Sequence, residues 1–217
     1  MGDERAYADR SAAGRVLADA LVSALAEHDR DHGQPLVLAL PRGGVPVAVP
    51  VARALAAELS VLVVRKLGSP GQPELAVGTI ALIGDRVVRV LNDEWVRRLG
   101  LSTEQLSTMV DTETEELRAR AAVFGRTPSV AGRTVIVVDD GLATGATMRA
   151  AVIAVRGADA AHVLAAAPVG AVAACRDLSE IAQLVVCPRR PYPFRAVGEH
   201  YRDFAQLDDD DVLALLP

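Results

Sequence analysis

Aromatic residues are scarce in this chain: Phe, Tyr and Trp make up only 3% of its 217 residues. Its apolar content, 51% of all residues, is mostly Ala, Val and Leu, which suits closely packed layers of strand and helix. Cysteine is almost absent. Cys175 and Cys187 are the two; their spacing fits no metal-ligand pattern, so a reducing cytoplasm is the expected setting. Positive charge is not in excess: the net charge is −5, and no broad nucleic-acid surface is expected. No apolar run approaches the ~20 residues of a membrane span. The segment Met1-Gly2-Asp3-Glu4-Arg5 has mixed charge and no apolar stretch after it, so no secretory signal is expected. Two phosphate-loop signatures are also missing. A Walker loop needs Lys before its final Thr, where this chain has Ala146, and no Gly-x-Gly-x-x-Gly follows the first strand.

What is present is concentrated in Val135-Ile136-Val137-Val138-Asp139-Asp140-Gly141-Leu142-Ala143-Thr144-Gly145-Ala146-Thr147. The four apolar residues predict a buried parallel strand. The Gly- and Thr-rich loop runs into Met148–Val155, where apolar residues recur at helical spacing. Loop N–H groups and a helix N-terminus make an anion site, Thr144 and Thr147 add hydroxyls, and Gly141 and Gly145 permit close approach. A phosphate alone would repel Asp139 and Asp140. Their presence implies a ligand that also brings hydroxyl donors, a divalent cation, or both, and a ribose 5-phosphate unit meets that description. The plainer alternative is a strand end with an Asp turn and a Thr cap.

Along the rest of the chain, the pattern predicts an amphipathic helix over 11–32 and a strand over 36–40, followed by Pro41-Arg42-Gly43-Gly44. It then predicts a helix over 45–59 and a second strand over 61–64 ending in Arg65-Lys66. Gly68–Pro73 reads as a loop. Segments 75–83 and 86–91 flank Gly84-Asp85 as a hairpin. Asn92 or Asp93 caps a short helix holding Trp95. Ser102 and Gln105 form a capping box for a longer helix through about Phe124, whose Glu116 and Arg120 suggest a solvated face. Two further apolar runs, 163–167 and 181–187, complete a parallel sheet covered on both faces. Asp208–Asp211 reads as a solvated helix start. Ligands bind outside the carboxyl ends of strands in such sheets. Three ends carry chemistry: Arg42-Gly43-Gly44, Arg65-Lys66 and Asp139-Asp140. The N–H groups of Gly43 and Gly44 are expected to form a second anion nest, with Arg42 and Lys66 adding charge suited to a diphosphate.

The order strand, Asp-Asp, three residues, Thr-Gly-x-Thr resembles the 5-phosphoribosyl 1-diphosphate (PRPP) motif of type I phosphoribosyltransferases. The resemblance extends from about Leu36 to Phe204. Ala39–Gly44, Arg65–Gly68, Pro73–Gly78 and Tyr201–Phe204 look like a poorly characterised group of that family, some of whose members are fused to a hydrolase. No such second domain is expected within these residues. The resemblance implies a single α/β domain over 1–217. Its parallel-sheet core spans 36–187, with a hairpin and helical insertion over 68–128 and a small hood over 188–207. It implies that Gly141, Leu142, Ala143, Thr144, Gly145, Ala146 and Thr147 hold the 5-phosphate. Asp139 and Asp140 take the ribose hydroxyls, directly or through Mg²⁺. Arg42, Gly43, Gly44, Lys66 and the adjoining Arg65 hold the diphosphate with the metal. The implied reaction is displacement of diphosphate from ribose C1 by a small, nucleobase-like or other nitrogen acceptor, within nucleotide metabolism.

Departures from the family pattern matter. Ala143 stands where 6-oxopurine enzymes carry an Asp, so that specificity is not carried over. Gly141 replaces the usual aliphatic residue, and Ala146 a frequent Gly. Tyr192, Phe194, His200, Tyr201 and Phe204 could stack on a flat base or form the hood's own core. Glu74 could order its loop or reach the metal. The alternative function is a non-catalytic PRPP sensor. A sugar-phosphate hydrolase reading lacks a nucleophile or base, since none of the four His residues sits in the strand-end motifs. A homodimer is compatible with the exposed flanking helices.

Overall fold

The computed structural model describes residues 6–27, 34–69 and 72–217. The apolar run before the Asp pair becomes β6 (Thr134–Val138), in which every residue is buried. Such continuous burial explains why the segment shows no alternation: a central parallel strand has no solvent face. It sits in the middle of a five-stranded parallel sheet of order β2-β1-β6-β7-β8. The others are β1 (Leu36–Ala39), β2 (Glu58–Val61), β7 (His162–Ala166) and β8 (Leu184–Val186).

Successive strand residues alternate between two apolar layers. Val37, Ala39, Ile136 and Val138 pack with α1 (Arg10–Glu27) and α2 (Gly44–Ala54). Leu38, Val135, Val137 and Ala165 pack with α5 (Ala146–Gly157) and α6 (Val172–Ser179). The parallel α/β architecture expected from the chain is the one observed. The last residues of the expected first helix, 28–32, lie outside the described residues, as do 70 and 71 of the loop expected over 68–73.

Three local expectations are corrected. Helix α2 ends at Ala54, and Ala56 adopts a left-handed conformation, φ 48°. The core strand is therefore Glu58–Val61, and the run expected to form one strand over 61–64 divides between two sheets. From Val64 the chain enters a separate antiparallel sheet of β3 (Val64–Ser69), β4 (Gln72–Ile83) and β5 (Arg86–Leu91). The β4–β5 hairpin is the expected one; its third strand is not, and Gly68, Ser69, Gln72 and Pro73 of the loop expected over 68–73 belong to β3 and β4 instead. Finally, the last strand is only Leu184–Val186, and α6 before it had no predicted counterpart.

The antiparallel sheet packs on α5 and on α4 (Thr103–Phe124), whose Ser102/Gln105 capping box forms as expected. The short α3 (Asp93–Arg98) is capped by the Asn92 side chain. The α4 face that reads as solvated is instead a bracket. Glu113 and Glu116 pair with Arg65, and Arg120 binds Asp209 at 2.6 Å, at the start of α7 (Asp209–Leu213). Among the described residues, no helix is long and apolar enough to cross a membrane.

Candidate active site

Strands β1 and β6 are neighbours in register, Ala39 opposite Val138. That pairing brings the Pro41–Gly44 turn against the Asp139–Thr147 loop at the carboxyl edge of the sheet. The fit is close. A Cβ added to Gly43 would lie 1.9 Å from Asp140 Oδ2, and one added to Gly44 would lie 2.6 Å from the Val138 carbonyl oxygen. The two glycines are therefore required by packing between the loops. The expected nest is only partly available, because Gly44 donates its N–H to Leu40 at 3.0 Å.

In the second loop, Leu142 is buried and its N–H donates to the Val169 carbonyl at 2.9 Å. It anchors the loop rather than facing a ligand, a correction to its expected role. Gly145 takes the left-handed conformation, φ 71°, that turns the chain into α5. Thr144 Oγ1 accepts from the Ala146 N–H at 3.3 Å. The N–H groups of Ala143, Thr144, Gly145 and Thr147 have no acceptor among the described residues. Together with the α5 N-terminus they form a cradle suited to an anion. Ala143, Thr144 and Thr147 are exposed.

The two carboxylates are set differently. Asp139 Oδ1 accepts the Asp140 N–H at 2.9 Å. Burial, reinforced by the Asp140 charge, pushes Asp139 up to about 8. Burial also raises Asp140, and Arg10 opposes that rise by donating from Nε to Oδ2 at 2.9 Å. Arg10 is itself held: its Nη1 donates to the Ala205 carbonyl at 2.9 Å, and its guanidinium lies 3.9 Å from the Phe204 ring centroid. The Tyr201 hydroxyl donates to the Asp140 carbonyl at 2.5 Å.

Because Asp139 has a raised value in the folded state, that state holds more protons than the unfolded chain between about pH 4 and pH 8. Stability therefore falls as pH rises through that window. Replacing Asp139 with Asn removes the cost. At pH 9, Asp139→Asn is expected to melt roughly 3–6 °C above the wild type, a gain shrinking towards zero near pH 4. Paired thermal melts across that range measure it, and a gain that does not vary with pH contradicts the assignment.

The remaining expected residues divide. Arg42, joined to Pro41 by a cis peptide, donates to the Leu207 carbonyl at 2.6 Å and lies 3.7 Å from Asp209. Arg65 is engaged by Glu113 and Glu116, so it ties β3 to α4. Lys66 lies on β3, not at the end of a parallel strand. It lines a cavity of about 500 Å³ together with Thr79, Asp93, Ala146 and Arg149, beside the first turn of α5. A smaller cavity of about 210 Å³ opens between Pro41, Arg65, Arg120 and Thr147.

The aromatic residues of 188–207 pack rather than project. Tyr201 and Phe204 stack at 5.0 Å, and Phe194 lies against the same cluster, which also contains Tyr7. Tyr192 alone among them is almost fully exposed. The Glu74 side chain lies outside what the structure describes. Arg10, the residue most closely engaged with the acidic pair, was missed. It lies 130 positions from Asp140, and nothing local to its helix marks it.

The site thus sets an acidic pair beside a cradle of backbone N–H groups, at the carboxyl edge of the parallel sheet of an α/β protein. Residues 10–188 match the phosphoribosyl transferase domain family. The chain is 44% identical over 213 residues to the Mycobacterium tuberculosis protein Rv0571c of strain H37Rv, and equally to its CDC 1551 counterpart MT0597. Both are named, provisionally, as phosphoribosyl transferases. The alignment covers 97% of this chain and 46% of theirs, so the chain spans about half the length of these curated relatives. The crystal structure of TT1426 from Thermus thermophilus superposes with a TM-score of 0.83 at 38% identity, covering 97% of each chain. AQ2163 of Aquifex aeolicus shares the fold at a TM-score of 0.51 and 10% identity, over 83% of this chain and 74% of that one. The chain belongs to the phosphoribosyl transferase domain family.

Proposed function

We propose that the protein transfers the 5-phosphoribosyl group of PRPP to a small nitrogen acceptor, nucleobase-like or otherwise, releasing diphosphate. The observation that carries this reading is the seating of Gly43 against the Asp140 carboxylate. It puts the turn after β1 and the acidic pair with its anion cradle on one continuous surface. A phosphate in the cradle would accept from the N–H groups of Ala143, Thr144, Gly145 and Thr147. Asp139 and Asp140 would accept from ribose hydroxyls, which orients C1 toward the β1 turn. Catalysis in such an arrangement comes from positioning and from charge placed where the leaving group develops it.

The donor set suits Mg²⁺. Asp139 and Asp140 are consecutive residues and offer two carboxylates. A cation held here by two carboxylates would complete its shell from ligand phosphates and water, as Mg²⁺ commonly does. When bound, Mg²⁺ supplies neutralisation of the diphosphate charge.

Composition supports a role for Lys66. It is the only lysine in a chain with 23 Lys and Arg residues, so every other basic position is Arg. It is exposed and lines the cavity next to the α5 N-terminus. Being unique, it can be followed directly: PRPP with Mg²⁺ is expected to protect Lys66 from amine acylation about tenfold, read by peptide mass spectrometry. Unchanged labelling removes Lys66 from the site.

The function itself is tested by diphosphate release from PRPP across a panel of small nitrogen bases. A second reading, PRPP binding without transfer, is favoured by one observation: Arg42 and Asp140 are both engaged within the chain. Tight metal-dependent PRPP binding with no release for any acceptor would select that reading.

A further inference from the structure

We propose that Cys175 and Cys187 form a reversible disulfide that deforms the phosphate loop, making this pair an oxidation site coupled to anion binding. The geometry centres on Gly170. A Cβ added there would meet Leu142 Cβ at 3.0 Å, Cys175 Sγ at 3.1 Å and Cys187 Sγ at 3.2 Å. Both sulfurs and a residue of the phosphate loop therefore converge on one glycine. Backbone hydrogen bonds make the connection stiff. Leu142 donates to Val169 at 2.9 Å, Ala171 donates to Leu142 at 2.8 Å, and Gly170 donates to Arg189 at 3.0 Å. Cys175 sits on the first turn of α6, its N–H bonded to the Ala171 carbonyl at 3.0 Å, while Cys187 directly follows β8.

The two thiols are also chemically unequal. The neighbouring Cys187 thiol lowers Cys175 to about 7 against the opposing effect of burial, and Cys175 in turn raises Cys187. The Cys187 thiol donates to the Arg189 carbonyl oxygen at 3.3 Å and so keeps its proton engaged. Cys175 is thus the nucleophile and Cys187 the resolving thiol. Both side chains are buried, Cys175 completely and Cys187 with 7% exposed, which favours a small oxidant and excludes pairing between molecules.

The step balances with a hydroperoxide as oxidant. The Cys175 thiolate attacks the O–O bond of hydrogen peroxide and becomes a sulfenic acid, with one water released after protonation. The Cys187 sulfur then displaces the sulfenic oxygen as a second water. Two thiols lose two electrons and two protons, and peroxide takes up both. Closing the sulfurs to the roughly 2.05 Å of a disulfide draws α6 and the end of β8 together beneath Gly170. Leu142 moves with the Val169–Ala171 segment because it is bonded to it on both sides.

The test uses the full chain, reduced and then exposed to hydrogen peroxide. Intact mass is expected to fall by about 2 Da, with peptide mapping joining Cys175 to Cys187. Amide exchange within 141–147 is expected to change, reverting with dithiothreitol. Cys187→Ser should stop at a trappable sulfenic acid, and Cys175→Ser should resist oxidation; both should keep the reduced exchange pattern. PRPP affinity with Mg²⁺ is expected to weaken about tenfold on oxidation. That last readout rests on the proposed function; mass and exchange do not. Absence of PRPP binding by the reduced protein would therefore count against the proposed function alone. Thiols that stay unlinked, or a disulfide that leaves exchange in 141–147 unchanged, would overturn the inference.

Discussion

Replacing both Asp139 and Asp140 with Asn is expected to abolish metal-dependent PRPP binding while leaving the protein folded. The two effects separate because the substitutions act oppositely on stability. Asp139→Asn keeps an oxygen that can accept the backbone N–H of the next residue and removes a charge that burial disfavours. Asp140→Asn gives up the ionic part of the 2.9 Å contact with Arg10 but retains an acceptor for it. The stability changes thus largely offset. Binding has no such compensation. An amide side chain can accept from one hydroxyl, but it cannot neutralise a cation, and its N–H₂ repels donors. Hydrogen bonds to charged groups contribute about 1.5–3 kcal/mol each, so losing two predicts at least a hundredfold weaker binding, by order of magnitude. Calorimetric titration with and without Mg²⁺, beside a thermal melt of the same samples, measures both. Unchanged affinity in a folded variant would sink the ribose assignment.

The second large effect is expected at the adjoining glycines, where substitutions one residue apart should fail for different reasons. The Cβ of Gly44→Ala would meet backbone, the Val138 carbonyl oxygen at 2.6 Å and Asp139 Cα at 3.1 Å. Neither can move without shifting the end of β6, so overpacking of about 1–3 kcal/mol follows, and melting should fall by roughly 3–10 °C. The Cβ of Gly43→Ala would meet the end of a side chain instead, Asp140 Oδ2 at 1.9 Å. That carboxylate can swing away, at the expense of its Arg10 contact. Gly43→Ala should therefore retain more stability than Gly44→Ala yet lose most of its PRPP affinity. Melting temperature and affinity measured on both variants check this. If Gly43→Ala binds as the wild type does, the two loops do not form one surface in solution.

Much of the proposed site was legible because its logic is local. A buried strand, two carboxylates and a loop of small residues leading into a helix lie in thirteen consecutive positions, and each property follows from residue type. The same holds for the Ser102 capping box and the β4–β5 hairpin, whose hydrogen-bonding partners are close in sequence. The pattern puts Arg65 and Lys66 at the end of a parallel strand, whereas both lie on β3 of the antiparallel sheet. The apolar run from Val61 to Val64 contains nothing to mark where the chain leaves the parallel sheet, since β propensity is the same on either side of the break. Leu142 and Gly44 were credited with free N–H groups because backbone pairing partners are invisible until strands are set in register.

The order of residues determined by itself that this chain builds a parallel α/β sheet carrying a loop of small residues at a helix start and an acidic pair, since these depend on periodicity and side-chain chemistry within short windows. Tertiary structure alone decided what surrounds the acidic pair. Arg10, Tyr201 and Phe204 lie 130, 61 and 64 positions away from Asp140, and only the folded chain closes α1 and the C-terminal segment over it. It also decided that two cysteines twelve positions apart share one glycine with Leu142 of the loop after β6. The physical reason is the same in each case: a carboxylate or a thiol takes its properties from burial and from charged or hydrogen-bonding neighbours, and packing between distant segments chooses those neighbours.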